Sequence, residues 1–233
     1  MIHQFIFAAP KPGMTEQEFQ DYWINVHAVK YASKIPQIKQ YSVSARLPFG
    51  DESKEPLWSG LADIWLENDA DQIASLMSPE LIDGARRDEP NWAAFWRTVV
   101  VDTEAHILKD GGGLDAVKDG VKLVALIKRK PGMTVEEFRR HAIDVHAPMD
   151  LALPGIRRLG YYFTRDGAYT VCEPPFDGVA CLWFDSPDAA RAAMDSDQHL
   201  KTNLADLPAF LEMKYLHVFL MKEHWTIGPI GAD

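Results

Sequence analysis

Lys11-Pro12-Gly13-Met14-Thr15 occurs twice, for Lys130-Pro131-Gly132-Met133-Thr134 repeats it in the second half of the chain. The match extends outward from there. Glu18-Phe19 returns as Glu137-Phe138, Ile24 as Ile143, and Val26-His27-Ala28 as Val145-His146-Ala147. After a one-residue deletion, Ile35-Pro36 meets Leu153-Pro154 and Ile38 meets Ile156. Gly60-Leu61-Ala62-Asp63-Ile64-Trp65 then meets Gly178-Val179-Ala180-Cys181-Leu182-Trp183. A period this long is a duplicated domain and not a solenoid repeat.

Each copy alone would have a modest core, and two copies packed face to face would bury far more surface. The expected layout is one module over residues 1–108, a Gly-rich linker over 109–119, a second module over 120–226, and a tail over 227–233. With 47% hydrophobic and 25% charged residues, the composition is that of an ordinary globular protein. The net charge of −10 argues against nucleic acid and against an anionic membrane as partners. Two cysteines, Cys172 and Cys181, are too few for a disulfide framework. Met1 to Phe7 lacks a basic leader region and is too short to span a bilayer, so a reducing, cytoplasmic setting is expected.

The local signals repeat as well. A short apolar β-rich run leads into the Pro-Gly turn. Thr15 with Glu18, and Thr134 with Glu137, form capping boxes that open helices. Helical spacing puts Phe19, Tyr22, Trp23 and Val26 on one face, and Phe138, Ala142, Val145 and Met149 on its counterpart. Strands are expected near 38–46 and 58–66, and again near 156–164 and 179–184. Second helices start near Asp69 and Pro187, the latter after a Ser186 N-cap. Final strands lie near 98–108 and 213–222. Trp92, Phe95 and Trp96 are expected to plug the core. The fold class is α+β, with the order β-α-β-β-α-β of a ferredoxin-like module twice over, the free sheet faces packing as an α+β barrel.

The strand, the Lys-Pro-Gly-Met-Thr turn, the helix ending in Val-His and the Gly-x-Ala-x-(Ile/Leu)-Trp strand together resemble the EthD-like family of dimeric α+β barrels. The resemblance covers nearly the whole chain. It implies a normally dimeric module fused here into one polypeptide, acting as a monomer with an internal pseudo-dimer or as a homodimer. Similar folds include methylmuconolactone isomerases, polyketide dehydratases, cofactor-free monooxygenases and haem peroxidases, so fold alone does not choose a reaction.

By that resemblance His27 and His146 are the acid/base residues, in keeping with histidine's role as a proton shuttle. The same isomerases place an active-site tyrosine where Tyr41 stands, to polarise a carbonyl. In copy two Leu159 takes that position and Tyr161, two residues on, shares its strand face. Asp63, where family members often carry Glu, is expected to orient His27 or act as a base. Its counterpart Cys181 loses the carboxylate, which favours copy one as the better equipped half. Cys181, Tyr161, Trp65 and Trp183 are expected to line the substrate site. Each of these residues also has a plain structural reading as a packed side chain.

The chain contains no His-Glu-x-x-His, Cys-x-x-Cys, dinucleotide fingerprint, P-loop or Gly-x-Ser-x-Gly. No metal or cofactor is therefore expected, although a lone histidine leaves a haem ligand open. The expected function is a cofactor-independent isomerase or lyase for a small apolar carbonyl, lactone or aromatic catabolite. The alternatives are a haem- or oxygen-using oxidoreductase, or a non-catalytic binding protein for an apolar metabolite.

Overall fold

The computed structural model describes residues 1–170 and 172–229. Its strands are β1 Ile2–Ala8, β2 Ile38–Leu47, β3 Gly60–Leu66, β4 Val99–Lys109, β5 Val121–Ile127, β6 Arg158–Thr164, β7 Gly178–Phe184 and β8 His217–Ile227. Helices fall between β1 and β2, between β3 and β4, and at the matching places between β5 and β8. The result is a mixed α/β fold with antiparallel strand pairs.

The chain divides into two compact units. Of the described residues, the first comprises Met1–Asp102 with 221–229, and the second comprises Thr103–Leu220. In unit 1, β3 lies between β1 and β2, with Phe5 opposite Asp63 and Tyr41 opposite Ile64. Phe19, Trp23, Ala28, Tyr41, Ala62 and Trp92 belong to one buried cluster there. In unit 2, β7 pairs with both β5 and β6, and the Thr103–Lys109 part of β4 pairs with β6. Every residue of β6 and β7 is buried. Residues 111–119 form successive turns, with Val117 buried and its N–H bonded to the carbonyl of Leu114. Residues 230–233, the end of the expected tail, lie outside the described residues.

Both capping boxes form, each threonine accepting from the backbone N–H of its glutamate while the glutamate caps the threonine N–H. Ser186 caps the helix Pro187–Met194, with Pro187 at its first position. What periodicity at 3.6 residues per turn missed is a wider turn in each first helix. Glu16–Tyr22 runs into a π-helical turn, Trp23–His27, and Val135–Arg140 into another, His141–His146. The extra residue in such a turn rotates the following side chains around the axis. His27, not Val26, is thereby buried, and His146 is buried while Val145 is exposed. The aromatic segment also departs from expectation. Trp92 is buried, but Phe95 and Trp96 sit on a short 3-10 turn with their side chains exposed.

Candidate functional site

Each unit holds a cavity beside its Val-His histidine. In unit 1 the cavity is about 140 Å³, and His27, Trp23, Tyr41, Ile64 and Trp92 are among its walls. The π turn presents His27 to it from the helix, β2 presents Tyr41 from the sheet, and the exposed Phe95 and Val100 stand at its mouth.

His27 is held by Asp88, whose Oδ2 lies 2.8 Å from Nδ1. Asp88 Oδ1 accepts two further hydrogen bonds, from the Tyr22 hydroxyl at 2.8 Å and from Asn91 Nδ2 at 3.1 Å. Burial disfavours the charged form of Asp88, but the bonds from His27, Asn91 and Tyr22 outweigh it and leave its pKa below the ordinary value. Burial, followed by Asp88 itself, pushes the Tyr22 phenol up to about 12, so it stays a donor. His27 is shifted down, because burial outweighs the pull of Asp88. The imidazole is therefore neutral near pH 7. The indole Nε1 of Trp92 also approaches Nδ1, at 3.2 Å. An ionised carboxylate holds the Nδ1 proton more firmly than an indole N–H can compete for that nitrogen. Nε2 is then the basic nitrogen.

Tyr41 is buried and its pKa is raised, chiefly by that burial. Its oxygen accepts from Trp23 Nε1 at 3.3 Å. An indole N–H only donates, so the Tyr41 hydroxyl proton remains available to a ligand. The unit 1 cavity thus offers the His27 base, the Tyr41 hydroxyl donor and mostly apolar walls, with Arg86, Glu89 and Thr98 also among them.

Unit 2 repeats the dyad with different neighbours. His146 Nδ1 lies 2.9 Å from Asp206 Oδ2, and His141 Nε2 reaches the same carboxylate at 3.0 Å. A cavity of about 90 Å³ opens beside His146, Asp150, Tyr161, His199 and Asn203. Asp150 accepts from the Tyr161 hydroxyl and from Asn203 Nδ2, each at 2.7 Å, and its Oδ1 lies 3.5 Å from His146 Nε2. Burial raises the Asp150 pKa despite His146, Tyr161 and Asn203. Copy two thus has its own set of polar groups, His146, Asp150, Tyr161, His199 and Asn203, in an otherwise apolar cavity.

Of the residues singled out in the sequence, His27 and Tyr41 come together in one cavity, and His146 and Tyr161 in the other. Asp63, Trp65, Cys181 and Trp183 do not join them. Ala62 and Ile64 line the first cavity, and Ala180 and Leu182 the second. Strand alternation sends the intervening side chains to the opposite sheet face. There Asp63 lies 3.3 Å from His3 Nε2 and takes no part in orienting His27, and Trp65 stacks on His3 at 4.2 Å. Cys181 is buried on β7, and Trp183 packs under Lys122 and Arg158. His106 is exposed and His217 half-buried, and neither lines these two cavities.

Sequence reasoning missed Asp88 and Asp206, and also Asp150, His199 and Asn203 of the second cavity. A signal was present: Asp88-Glu89-Pro90-Asn91-Trp92 and Asp206-Leu207-Pro208-Ala209-Phe210 are the same Asp-x-Pro-x-aromatic motif in both copies. The aromatic ring of each packs on its histidine, Trp92 at 4.7 Å from His27 and Phe210 at 5.1 Å from His146.

Among the described residues no group of three His, Cys, Asp or Glu side chains is placed to hold a metal ion. A carboxylate on Nδ1 would suit a haem-ligating histidine. A cavity of ~150 Å³ accommodates a benzene ring, so neither of these two fits a porphyrin.

The EthD domain matches this sequence twice, over residues 11–95 and 130–214. The chain belongs to the EthD family. Each match carries one histidine–aspartate dyad of this EthD tandem. No curated protein matches the sequence. Among solved structures, an anthrone oxidase-like protein covers 100% of this EthD chain and 95% of its own at a TM-score of 0.63 and 14% identity. A provisionally named monooxygenase from Lactobacillus acidophilus NCFM covers 100% and 99% at 0.58 and 13%. An ethyl tert-butyl ether degradation (EthD) family protein from Bacillus halodurans C-125 is 27% identical over 43% of this chain and 95% of its own, at 0.36. The first two share the fold of this EthD protein. No helix among the described residues is long and apolar enough to cross a membrane.

Proposed function

We propose that this protein, two fused ferredoxin-like EthD modules, is a cofactor-independent acid/base enzyme, an isomerase or lyase. Its substrate is a ring-sized, mostly apolar carbonyl or lactone compound. The observation that carries the reading is a neutral His27, fixed through Nδ1 by Asp88, in a mostly apolar cavity that also holds the Tyr41 hydroxyl.

The chemistry follows from those groups. Nε2 removes a proton from the carbon next to the carbonyl. Asp88 stabilises the imidazolium that forms. The Tyr41 hydroxyl donates to the enolate oxygen, in surroundings where few polar contacts compete. The imidazolium then returns the proton at another carbon, or assists departure of a leaving group. A positioned base supplies about 10²- to 10⁴-fold, and one oxyanion donor about 10²- to 10³-fold. The His146–Asp206 pair equips unit 2 with a base of the same kind.

The test is deuterium uptake, by NMR, into single-ring ketones and lactones incubated with the protein in D2O. Exchange that His27→Gln abolishes in a folded protein supports the reading, and an unchanged rate overturns it. The names of two fold neighbours, a monooxygenase and an anthrone oxidase-like protein, favour a second ending to the same first step. There the enolate passes its electrons to O2, a methylene becoming a carbonyl with loss of water. Oxygen uptake coupled to substrate loss distinguishes this ending. Ligand binding without exchange or uptake instead indicates an accessory protein for an apolar metabolite. We place the protein in the cytoplasm, as a monomer or a homodimer, which sedimentation decides.

A further inference from the structure

The two cavities have parted chemically since the duplication. Four residues after its histidine, copy one has Tyr31 where copy two has Asp150. Leu81 and Ala85 line the first cavity where, at the offset of Gly60 and Gly178, His199 and Asn203 line the second. Asp150, His199 and Asn203 thus face the unit 2 cavity where unit 1 has none of them, whereas Arg86, Glu89 and Thr98 face the unit 1 cavity where copy two has Leu204, Leu207 and Leu216.

Hydrogen bonds set the polarity of the unit 2 wall. Tyr161 and Asn203 each spend a proton on Asp150. Asn203 Oδ1 is occupied by Gln198 Nε2 at 3.1 Å. The Nδ1 proton of His146 goes to Asp206. What remains toward the cavity is mainly acceptor capacity: the other lone pairs of Asp150, the Tyr161 oxygen and Nε2 of His146. Nε2 and Asp150 Oδ1 are 3.5 Å apart, close enough for one donor hydroxyl to reach both. His199, kept toward its neutral form by burial, has one ring N–H to give and one nitrogen to accept with. The remaining lining, including Leu123, Leu153, Leu182 and Phe210, is apolar.

We propose that the unit 2 cavity is a second, chemically distinct site, selective for a ligand no larger than one six-membered ring that carries a phenolic or enolic hydroxyl, with Asp150 as its acceptor. A ligand O–H satisfies the carboxylate and Nε2, while its oxygen accepts from His199. A ligand with only a carbonyl can accept from His199 but leaves Asp150 and Nε2 without a proton, and binds more weakly because buried polar groups left unpaired are costly. The unit 1 cavity carries a different set of polar groups, His27, Tyr41, Arg86, Glu89 and Thr98. This inference does not depend on the chemistry assigned to His27.

Phenol and toluene test it, since they have nearly the same shape and differ in the donor. Each is titrated into the whole protein and followed by calorimetry or saturation-transfer NMR. Phenol binds saturably and more tightly than toluene, although toluene is the more hydrophobic. Asp150→Asn lowers phenol affinity by ~10-fold or more and leaves toluene unchanged. If that variant does not fold, the phenol–toluene comparison on the natural chain decides, joined by His199→Leu, which restores the copy-one residue and narrows the gap. Equal affinity for the two rings, no binding of phenol, or phenol affinity untouched in a folded Asp150→Asn protein overturns the proposal.

Discussion

Asp88 Oδ2 lies 2.8 Å from Nδ1 of His27, and both side chains are buried. The carboxylate selects the tautomer with Nε2 free of its proton and stabilises the imidazolium that would form during proton abstraction. In the proposed mechanism Asp88 is a positioning residue, acting through His27. Asp88→Asn keeps the size of the side chain but not its charge. Deuterium exchange should fall by ~100-fold or more, with the acidic limb of the pH profile moved lower. A rate equal to that of the natural protein would remove Asp88 from the mechanism.

Tyr41 is a donor because Trp23 makes its oxygen an acceptor. Tyr41→Phe removes the hydroxyl and leaves the ring packed. The exchange rate should drop by about 100-fold, the low end for one oxyanion donor. The indole N–H of Trp23 also loses its partner, at a cost of about 1–3 kcal/mol. Kinetics and thermal unfolding on the same preparation separate the two effects.

Acid should weaken the fold before it protonates the carboxylates. His27, His199, His217 and His224 all lie below the ordinary histidine value of 6.5, burial being the largest cause in each. Where the folded pKa is depressed, the unfolded chain binds more protons as pH falls through ~6.5, and stability is lost in that window. Asp88, also depressed, extends the loss to lower pH. Asp150, which is raised, acts in the opposite direction above 3.8, up to its folded value. The melting temperature should decline from about pH 7.5 to 5.5, less steeply in His27→Gln. A melting temperature that climbs on acidification would contradict the assignment.

Gly60 opens the repeated strand motif for a packing reason. A Cβ there would stand 2.9 Å from Trp23 Cζ3 and 3.3 Å from Phe19 Cε1. Gly60→Ala must displace the indole that fixes Tyr41. It should cost about 1–3 kcal/mol of stability, as overpacked cores do, and lower the exchange rate as well. Chemical denaturation and the D2O assay read the two consequences. Gly178 is more constrained, since its Cβ would meet the backbone oxygen of Tyr162 at 2.7 Å.

The duplicated module, its order of strands and helices, both capping boxes and the histidine pair were legible in one sequence, because each is a local signal written twice. Thr15 with Glu18, or a five-residue turn motif, needs no knowledge of what packs above it. The helix faces were less legible. Apolar spacing put Val26 and Val145 inward, and one extra residue in a π turn put His27 and His146 there instead. That widening leaves no mark in a 3.6-residue pattern.

The sequence by itself determined the family, the two modules and the side chains able to move a proton. Tertiary structure alone decided which of them meet. Asp63 and Asp88 are both acidic and both buried, and Asp63 stands on the motif strand. Yet strand alternation turns Asp63 to the far face, while a helix 61 residues along the chain delivers Asp88 to His27. Alternation is local, but the partner it excludes and the partner that replaces it depend on chain closure over long separations, which no local pattern encodes.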